Sequence, residues 1–465
     1  MNIHFEKGIK PSLIARVTGG KLIGEDKPLT GITNDSRCVE PGSMYVAIRG
    51  ERFDGHDFIE DAFRAGASCV LVDNIKDGII PLDCCAVLVN DTIYALGAVS
   101  KYQKEKVSPY TVAVTGSTGK TTTKEFIYAV LREGGLADKT EGNFNTNIGL
   151  PLTMLKVQPG CKYLVLEMGM SFQGEIEYLS HLACPDMAVI TNIGDSHIEN
   201  FGSREKIRDA KLEIRSALKS GGKTILNGDE PLLSGVENGV YVAMHNEKAD
   251  YYICDIISHD CMCTTFDIIH KGKKTEDITI PVIGDHYVFD AAIAYAVGCE
   301  LGLDDDKIKA GLRNFKNTGM RQNIYKVKGV TIIDDCYNAA PLSMSASLSV
   351  LDMIARREKG RSIAVLGDMR ELGDYSRALH EEVGEKVASL KIDRLYTFGA
   401  DAAFIAHGAK AAGMSEENIF VFRDLDAASS VAEALLADIK EKDAVLFKAS
   451  RAVKLERVIE QMKEN

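Results

Sequence analysis

The stretch TVAVTGSTGKTTTKEF, Thr111 to Phe126, decides how the middle of the chain folds. The β-branched run Tyr110–Thr115 reads as a strand. It breaks at Gly116 and Gly119 and passes into a helical segment, Thr122 to Glu133, ended by Gly134-Gly135. A strand, a glycine turn and a helix in that order form a phosphate-binding arrangement. Glycine lets backbone N–H groups approach an anion in conformations that a Cβ forbids. The first helical turn carries unpaired donors and the positive end of the peptide dipoles. Gly116, Ser117, Thr118, Gly119, Lys120, Thr121 and Thr122 are therefore candidate nucleotide contacts. Lys120 would reach the terminal phosphates and Thr121 would offer its hydroxyl to Mg2+. Only two residues separate the glycines, where the usual loop has four. A tight turn with an exposed lysine is the competing reading.

Working outward, "YLVLEMG", "MAVITNIG" and "KTILNG" are further strand candidates. Helical segments lie between them, such as Arg204 to Lys219. Apolar strands alternating with amphipathic helices predict a mostly parallel sheet covered on both faces. From about Asp250 to Ile283 the pattern is antiparallel, and helices near Phe289–Leu301 and Asp305–Asn314 follow. Before this unit, short strands and turns run to about Lys106, with a helix over Asp57–Ala65. The charged "YQKEKVSP" reads as a linker. After it, "VTIIDD", "SIAVLGD", "RLYTFG" and "DAVLFK" are strands of a second α/β unit, and "AVKLERVIEQMKEN" is its last helix. The fold class is α/β with three domains: 1–106, 107–318 and 319–465.

Composition limits the function. In 465 residues, 45% are hydrophobic and 26% charged, ordinary for a globular chain. The formal net charge of -12 argues against nucleic acid as a partner. The eleven cysteines, including Cys84-Cys85 and Cys261-Met262-Cys263, lack zinc-knuckle spacing and suit reduced thiols in a cytoplasmic protein. Neither a signal peptide nor a membrane span is expected.

Several side chains sit where chemistry would need them. Glu167 ends an apolar strand, at the edge where ligands bind in open α/β sheets, and its carboxylate suits Mg2+. A strand-end carboxylate facing water is an equal reading. His197, in "ITNIGDSHIENFGS", reads as a metal ligand, a phosphate contact or a plain loop histidine. Lys211, in "REKIRDAKLEIRSAL", reads by default as part of a solvated charged face. Asp334, Asp335, Tyr337 and Asn338 in "VTIIDDCYNAAP", and Asp368 in "AVLGDMRELG", read either as turn carboxylates or, because two such loops fall in one domain, as a second ligand-facing edge.

Taken in order, these motifs resemble the Mur ligase family, in its dipeptide-adding branch, over nearly the whole chain. "ITNDSRCVEPGSMYVAIRGERFDGHDF" is similar to that family's uridine-nucleotide-binding domain, and "TGSTGKTTTKE" has its short glycine spacing. "EGNFNTNIGLPLT", "LEMGMSFQGEIEYLS", "TNIGDSHIENFGS", "AKLEI", "DDCYNAAP", "LGDMRELG" and "FKASR" also match. The resemblance implies a P-loop-type central domain, a Rossmann-like C-terminal domain, and an ATP-dependent amide ligase. That ligase would join D-alanyl-D-alanine to UDP-N-acetylmuramoyl-tripeptide through an acyl phosphate, in peptidoglycan precursor synthesis. It implies catalytic roles for Lys120, Glu167, His197 and Lys211. Two Mg2+ ions would be held by Thr121, Glu167, His197 and Lys211, the lysine carbamylated by CO2. A carbamate supplies oxygens where an ammonium would repel the metal, and forming it needs a neutral amine. Asp290, Arg321 and Asp335 fall at ATP-contacting positions. Ser36, Arg37, Asn145, Asn338, Asp368 and Lys448 fall at substrate-contacting ones. A monomer is expected. The chain has Asp290 where the family commonly has Asn, Ala340 for Asn, and Ala449 for Gly.

Two other readings stay open. One is a different ligase of the superfamily, of folylpolyglutamate- or cyanophycin-synthetase type, against which the "DSR…DGH" domain argues. The other is a P-loop switch protein, which would not need the third domain.

Overall fold

The computed structural model describes residues 2–75, 79–260 and 262–464. Cys261 and Asn465, both included in the readings above, lie outside them. None of the described cysteines is in a disulfide.

The strand Tyr110–Thr115 forms as expected and is almost entirely buried. It lies between Tyr163–Glu167 and Met187–Ile190, parallel to both. The sheet around it has nine strands. Lys223–Asn227, Gly239–Ala243 and Tyr251–Ser258 extend it on one side, still parallel. Thr264–His270 and Lys273–Ile280 close that side as antiparallel strands. Ala137–Lys139 forms the other edge. The helix Asp285–Glu300 is apolar nearly all round because it is buried. It shares a core with Phe126, Val130 and the sheet.

The N-terminal sheet has six strands. Leu29–Thr33, Met44–Val46, Cys69–Val72 and Cys85–Leu88 run parallel in the middle. Ile3–Ile9 and Lys21–Gly24 pair antiparallel at the edges. The C-terminal sheet also has six strands. Val330–Asp334, Ala444–Lys448, Ser362–Gly367, Arg394–Phe398 and Ile419–Phe422 are parallel, and Asn323–Val327 pairs antiparallel with the first of them.

The charged stretch Tyr102–Pro109 is not the linker its composition suggests. It completes the helix Thr92–Val107, which Ser108 ends at φ 54°. That helix fastens the first section to the second. Lys104, only 4% exposed, donates to the Ala183 carbonyl at 2.7 Å, and Lys101 to the His181 carbonyl at 2.9 Å. Both cap the C-terminal end of the helix Glu175–Ala183, where carbonyls lack intrahelical partners and attract cations. Leu152 and Leu155 of the central section enter the same core as Leu96 and Val99. Lys104→Met leaves a buried carbonyl unpaired and is expected to cost about 1–3 kcal/mol. A lowered urea midpoint at unchanged slope checks it. An unchanged midpoint would show that the lysine adds nothing to the joint.

The segment Arg204–Lys219 is a shorter helix than expected. It ends at Leu212 and continues as the turn Glu213–Arg215. The helix expected from Phe289 starts earlier, at Asp285, after Gly284 at φ +118°.

Candidate active site

Parallel pairing on both sides of Tyr110–Thr115 brings three strand ends together. They carry the glycine loop, Glu167, and the turn from Thr191 to His197. This is the edge where open α/β sheets bind ligands.

The loop is tightly framed. A Cβ on Gly116 would strike the Thr191 hydroxyl, and one on Gly119, at φ +78°, would meet the Asp290 carboxyl at 2.9 Å. Asn192 accepts from the Thr118 N–H and donates to its hydroxyl, each at 2.9 Å. Ser117 Oγ accepts from the Gly194 N–H at 2.8 Å. The helix Lys120–Arg132 begins at Gly119 with no side-chain cap. Its leading amides are thus available to an anion. Lys120 Nζ donates to the Gly116 and Ser117 carbonyls at 2.8 and 3.3 Å. Burial pulls its pKa down. Glu167 opposes that shift and the Arg321 cation adds to it. Thr122 lies beside the loop on the cleft wall.

Glu167 is held from several directions. Thr121 Oγ1 donates to Oε2 and Asn145 Nδ2 to Oε1, each at 2.9 Å. Lys124 Nζ lies 3.5 Å from Oε2. Lys124 is fully buried and went unremarked in the sequence. Its signal is its place one helical turn after Lys120, on the same helix face. The adjacent oxygens of Thr121 and Glu167 are the hard donors that Mg2+ takes, so these residues fit that ion.

Lys211 overturns its default reading. The helix Arg204–Leu212 turns Ile207, Ala210 and Lys211 inward. The lysine is 1% exposed. Burial, then the Lys120 cation, hold its pKa well below the ordinary lysine range, and no anion offsets this among the described residues. A buried amine in that state is the form that reacts with CO2, so the site fits a carbamate.

His197 heads the short helix Ile198–Phe201 at φ +64°, with Nδ1 2.6 Å from Glu371 Oε2. Glu371 comes from the third section. His197 and then Lys120 keep its carboxyl below the usual range against the effect of burial.

The C-terminal section supplies more. Arg321 Nη2 donates to Thr121 Oγ1 at 3.1 Å, and its guanidinium stacks 3.8 Å above the Tyr337 ring. Asp335 and Lys448 end at neighbouring strands and pair at 2.6 Å. Lys448 also donates to the Asn338 carbonyl at 3.1 Å. Asp368 is buried behind this wall, accepting from the Ala402 N–H at 2.7 Å and paired with Arg370 at 3.0 Å. Ala340 lines the cleft, whereas Ala449 is core. Ser36 and Arg37 form a surface turn outside the cleft, with Arg37 paired to Asp35 at 2.9 Å.

Asp290 accepts from Thr123 Oγ1 at 2.8 Å. Burial raises its pKa well above the carboxylate range, and the Thr123 bond only partly offsets this. A raised folded pKa gives stability that is present below the unfolded value, about 4. That stability is lost as pH rises through the folded value. Asp290→Asn keeps the acceptor for Thr123 and removes this loss. The ligand-free variant should therefore melt above the parent at pH 8, with the gap closing towards pH 4. Equal melting curves at pH 8 would contradict the assignment.

The glycine loop, Glu167, His197 and Glu371 border a cleft of about 1360 Å³ walled by all three sections, whereas the buried Lys124, Lys211 and Asp368 do not line it. Asp91, Ile93 and Tyr94 come from the first, the glycine loop and Glu167 from the second, and Arg321, Asn338 and Lys448 from the third.

Comparison with known proteins agrees with this arrangement. Residues 28–109 match the Mur ligase family, catalytic domain. Residues 114–298 match the Mur ligase middle domain, and 320–451 the Mur ligase, glutamate ligase domain. The UDP-N-acetylmuramoyl-tripeptide–D-alanyl-D-alanine ligase of Bacillus subtilis is 40% identical, covering 97% of this chain and 98% of its own. That of Escherichia coli is 33% identical, covering 98% of each. Among solved structures, MurF from Acinetobacter baumannii superposes with a TM-score of 0.90 at 28% identity over 100% of both chains. MurF ligase from Thermotoga maritima in complex with ADP gives 0.82 at 32% identity, over 93% of this chain and 97% of that one. Three domain matches in order, and relatives aligned nearly end to end, leave one conclusion: the chain belongs to the Mur ligase family.

Proposed function

We propose that this protein is the ATP-dependent ligase that joins D-alanyl-D-alanine to UDP-N-acetylmuramoyl-tripeptide in peptidoglycan precursor synthesis. The observation that carries the reading is the shared cleft, in which Arg321 of the third section bonds to Thr121 beside the glycine loop of the second. Three sections around one cleft suit three substrates.

A carboxylate is a poor electrophile, so the chemistry begins by giving it a leaving group. An oxygen of the tripeptide's terminal carboxylate attacks the γ-phosphorus, the bond to the bridging oxygen breaks, and ADP leaves. The amine of D-alanyl-D-alanine then attacks the acyl carbon. The carbon–oxygen bond to phosphate breaks, phosphate leaves, and the amine gives up its proton. The protein's task is positioning and charge neutralisation. The loop amides and Lys120 hold the phosphates, with Lys120 leaving its carbonyl partners for them. Arg321 and Asp335 reach the nucleotide from the third domain, and Asp290 borders it. Asn338, Asp368 and Lys448 shape the dipeptide side. Asn145 orders Glu167 on the tripeptide side, and Ser36 and Arg37 serve the uridine end.

Thr121 and Glu167 would hold one Mg2+, and His197 with a carbamylated Lys211 a second, which together neutralise charge on the transferred phosphoryl group. The carbamate forms when the neutral Lys211 amine attacks CO2 and releases a proton. One chain carries the whole cleft, which suits a monomer, and ATP with a soluble nucleotide substrate suits the cytoplasm.

Oxygen-18 in the tripeptide's terminal carboxylate tests the route. Label is expected in the released phosphate. Label in AMP, or in neither product, would overturn the acyl phosphate.

A further inference from the structure

Two loops from different domains meet at the mouth of the phosphate site. His197 lies in the turn after Met187–Ile190, and Glu371 in the loop after Ser362–Gly367. Both adopt left-handed backbone conformations, at φ +64° and +67°. That conformation is uncommon for residues other than glycine and persists where surrounding contacts enforce it. The contacts here are plain. The Glu199 N–H donates to the Glu371 carbonyl at 3.4 Å, and the Tyr375 hydroxyl donates to the Gly202 carbonyl at 2.8 Å. Gly373, at φ +51°, sits so close to Glu199 that a Cβ would lie 2.8 Å from that residue's own Cβ. The 371–375 loop is thus keyed onto the helix that His197 heads.

Within this joint Glu371 Oε2 lies 2.6 Å from His197 Nδ1. The oxygen stands off the axis of a directed hydrogen bond, which leaves Nδ1 without a well-aligned partner. A small rotation would align the pair, and such bonds often tighten only when substrates are in place. A neutral imidazole has one N–H and one lone pair. A carboxylate at Nδ1 selects the form with the proton there and leaves the Nε2 lone pair free for a ligand. Since the carboxylate belongs to another domain, the selection operates only while the loops are docked.

We propose that Glu371 is a positioning residue. Docking of the third domain sets the tautomer and orientation of His197, so its Nε2 is ready only in the closed enzyme. This rests on the reading of His197 as a residue that holds the phosphate-bound cation.

The test uses the full chain with 15N-labelled histidine, in the presence of Mg2+, a non-hydrolysable ATP analogue and UDP-N-acetylmuramoyl-tripeptide. His197→Asn identifies the His197 ring signals. The parent should hold the proton on Nδ1. Glu371→Gln should give a mixed or Nε2-protonated ring, with kcat lowered about 10–100-fold and KM for ATP within about threefold. Glu371→Asp should restore part of the Nδ1 preference. Tyr375→Phe keeps the carboxylate but loosens the docking, and should shift the ring part of the way. An unchanged ring in Glu371→Gln would overturn the proposal while leaving the role of His197 intact. A normal rate in His197→Asn would instead overturn the reading on which it rests.

Discussion

Lys120→Ala is expected to yield a folded protein that forms no measurable ADP. The lysine sits on its own loop's carbonyls, at 2.8 and 3.3 Å, with Thr121 and the helix start beside it. Among the described residues no other lysine bonds to these loop carbonyls. Lys124, one turn further along the helix, is fully buried and engaged elsewhere, donating to the Thr140 carbonyl at 2.8 Å and lying 3.5 Å from Glu167. Removing a positioned cation from a phosphoryl-transfer site should cost at least about 10³ in kcat. The stability change should be small, because the ammonium's partners are carbonyls at the wall of the cleft. Steady-state ADP formation and a thermal melt, run together, check both halves. A variant with near-parental turnover would remove the glycine loop from the reaction.

Lys211→Met separates function from stability more sharply. The parent lysine is buried with no anion to balance it among the described residues. A buried lysine without a partner must either give up its proton or stay an unbalanced charge, each of which costs stability, and an apolar side chain of similar length removes that cost. The ligand-free variant should therefore melt at or above the parent's temperature. On the proposed reading, in which a carbamylated Lys211 would help hold the second Mg2+, its turnover should fall by about 10³ or more. The parent in 13CO2-equilibrated buffer should show a carbamate carbon signal that the variant lacks. Loss of turnover with no such signal in the parent would leave Lys211 essential but not carbamylated. Full activity in Lys211→Met would remove it from the site.

Much of this fold could be read directly from the chain. Tyr110–Thr115, Tyr163–Glu167 and Met187–Ile190 are apolar runs bounded by glycine or polar turns, because each is buried on both faces of a parallel sheet. The edge strands were less visible. Ala137–Lys139 has only three half-buried residues, and Asn323–Val327 is half exposed, so neither carries an apolar run. Tyr102–Val107 has the composition of a linker because Glu105 and Lys106 face water, while the buried Lys104 anchors the helix they belong to.

The site divides in the same way. The glycine loop declares itself by local spacing. Lys211 does not, because a charged helix reveals its buried side only when Ile207 and Ala210 are seen packed. Lys124 and Glu371 were invisible for another reason. Each acts through a residue distant in sequence, Lys124 through Glu167 and Glu371 through His197. Such pairings are fixed by sheet order and domain docking and leave no mark in local spacing. Asp290 shows the reverse case. Its departure from the common Asn was plain, but its burial against Thr123 and Gly119 needed the fold.

The most direct test of the whole account is phosphate release by the purified protein with ATP and Mg2+. UDP-N-acetylmuramoyl-tripeptide would be supplied with and without D-alanyl-D-alanine. Sustained release is expected only when both are present, one phosphate for each amide bond formed. Sustained release with neither, or with a different carboxylate and amine pair alone, would contradict the proposed function.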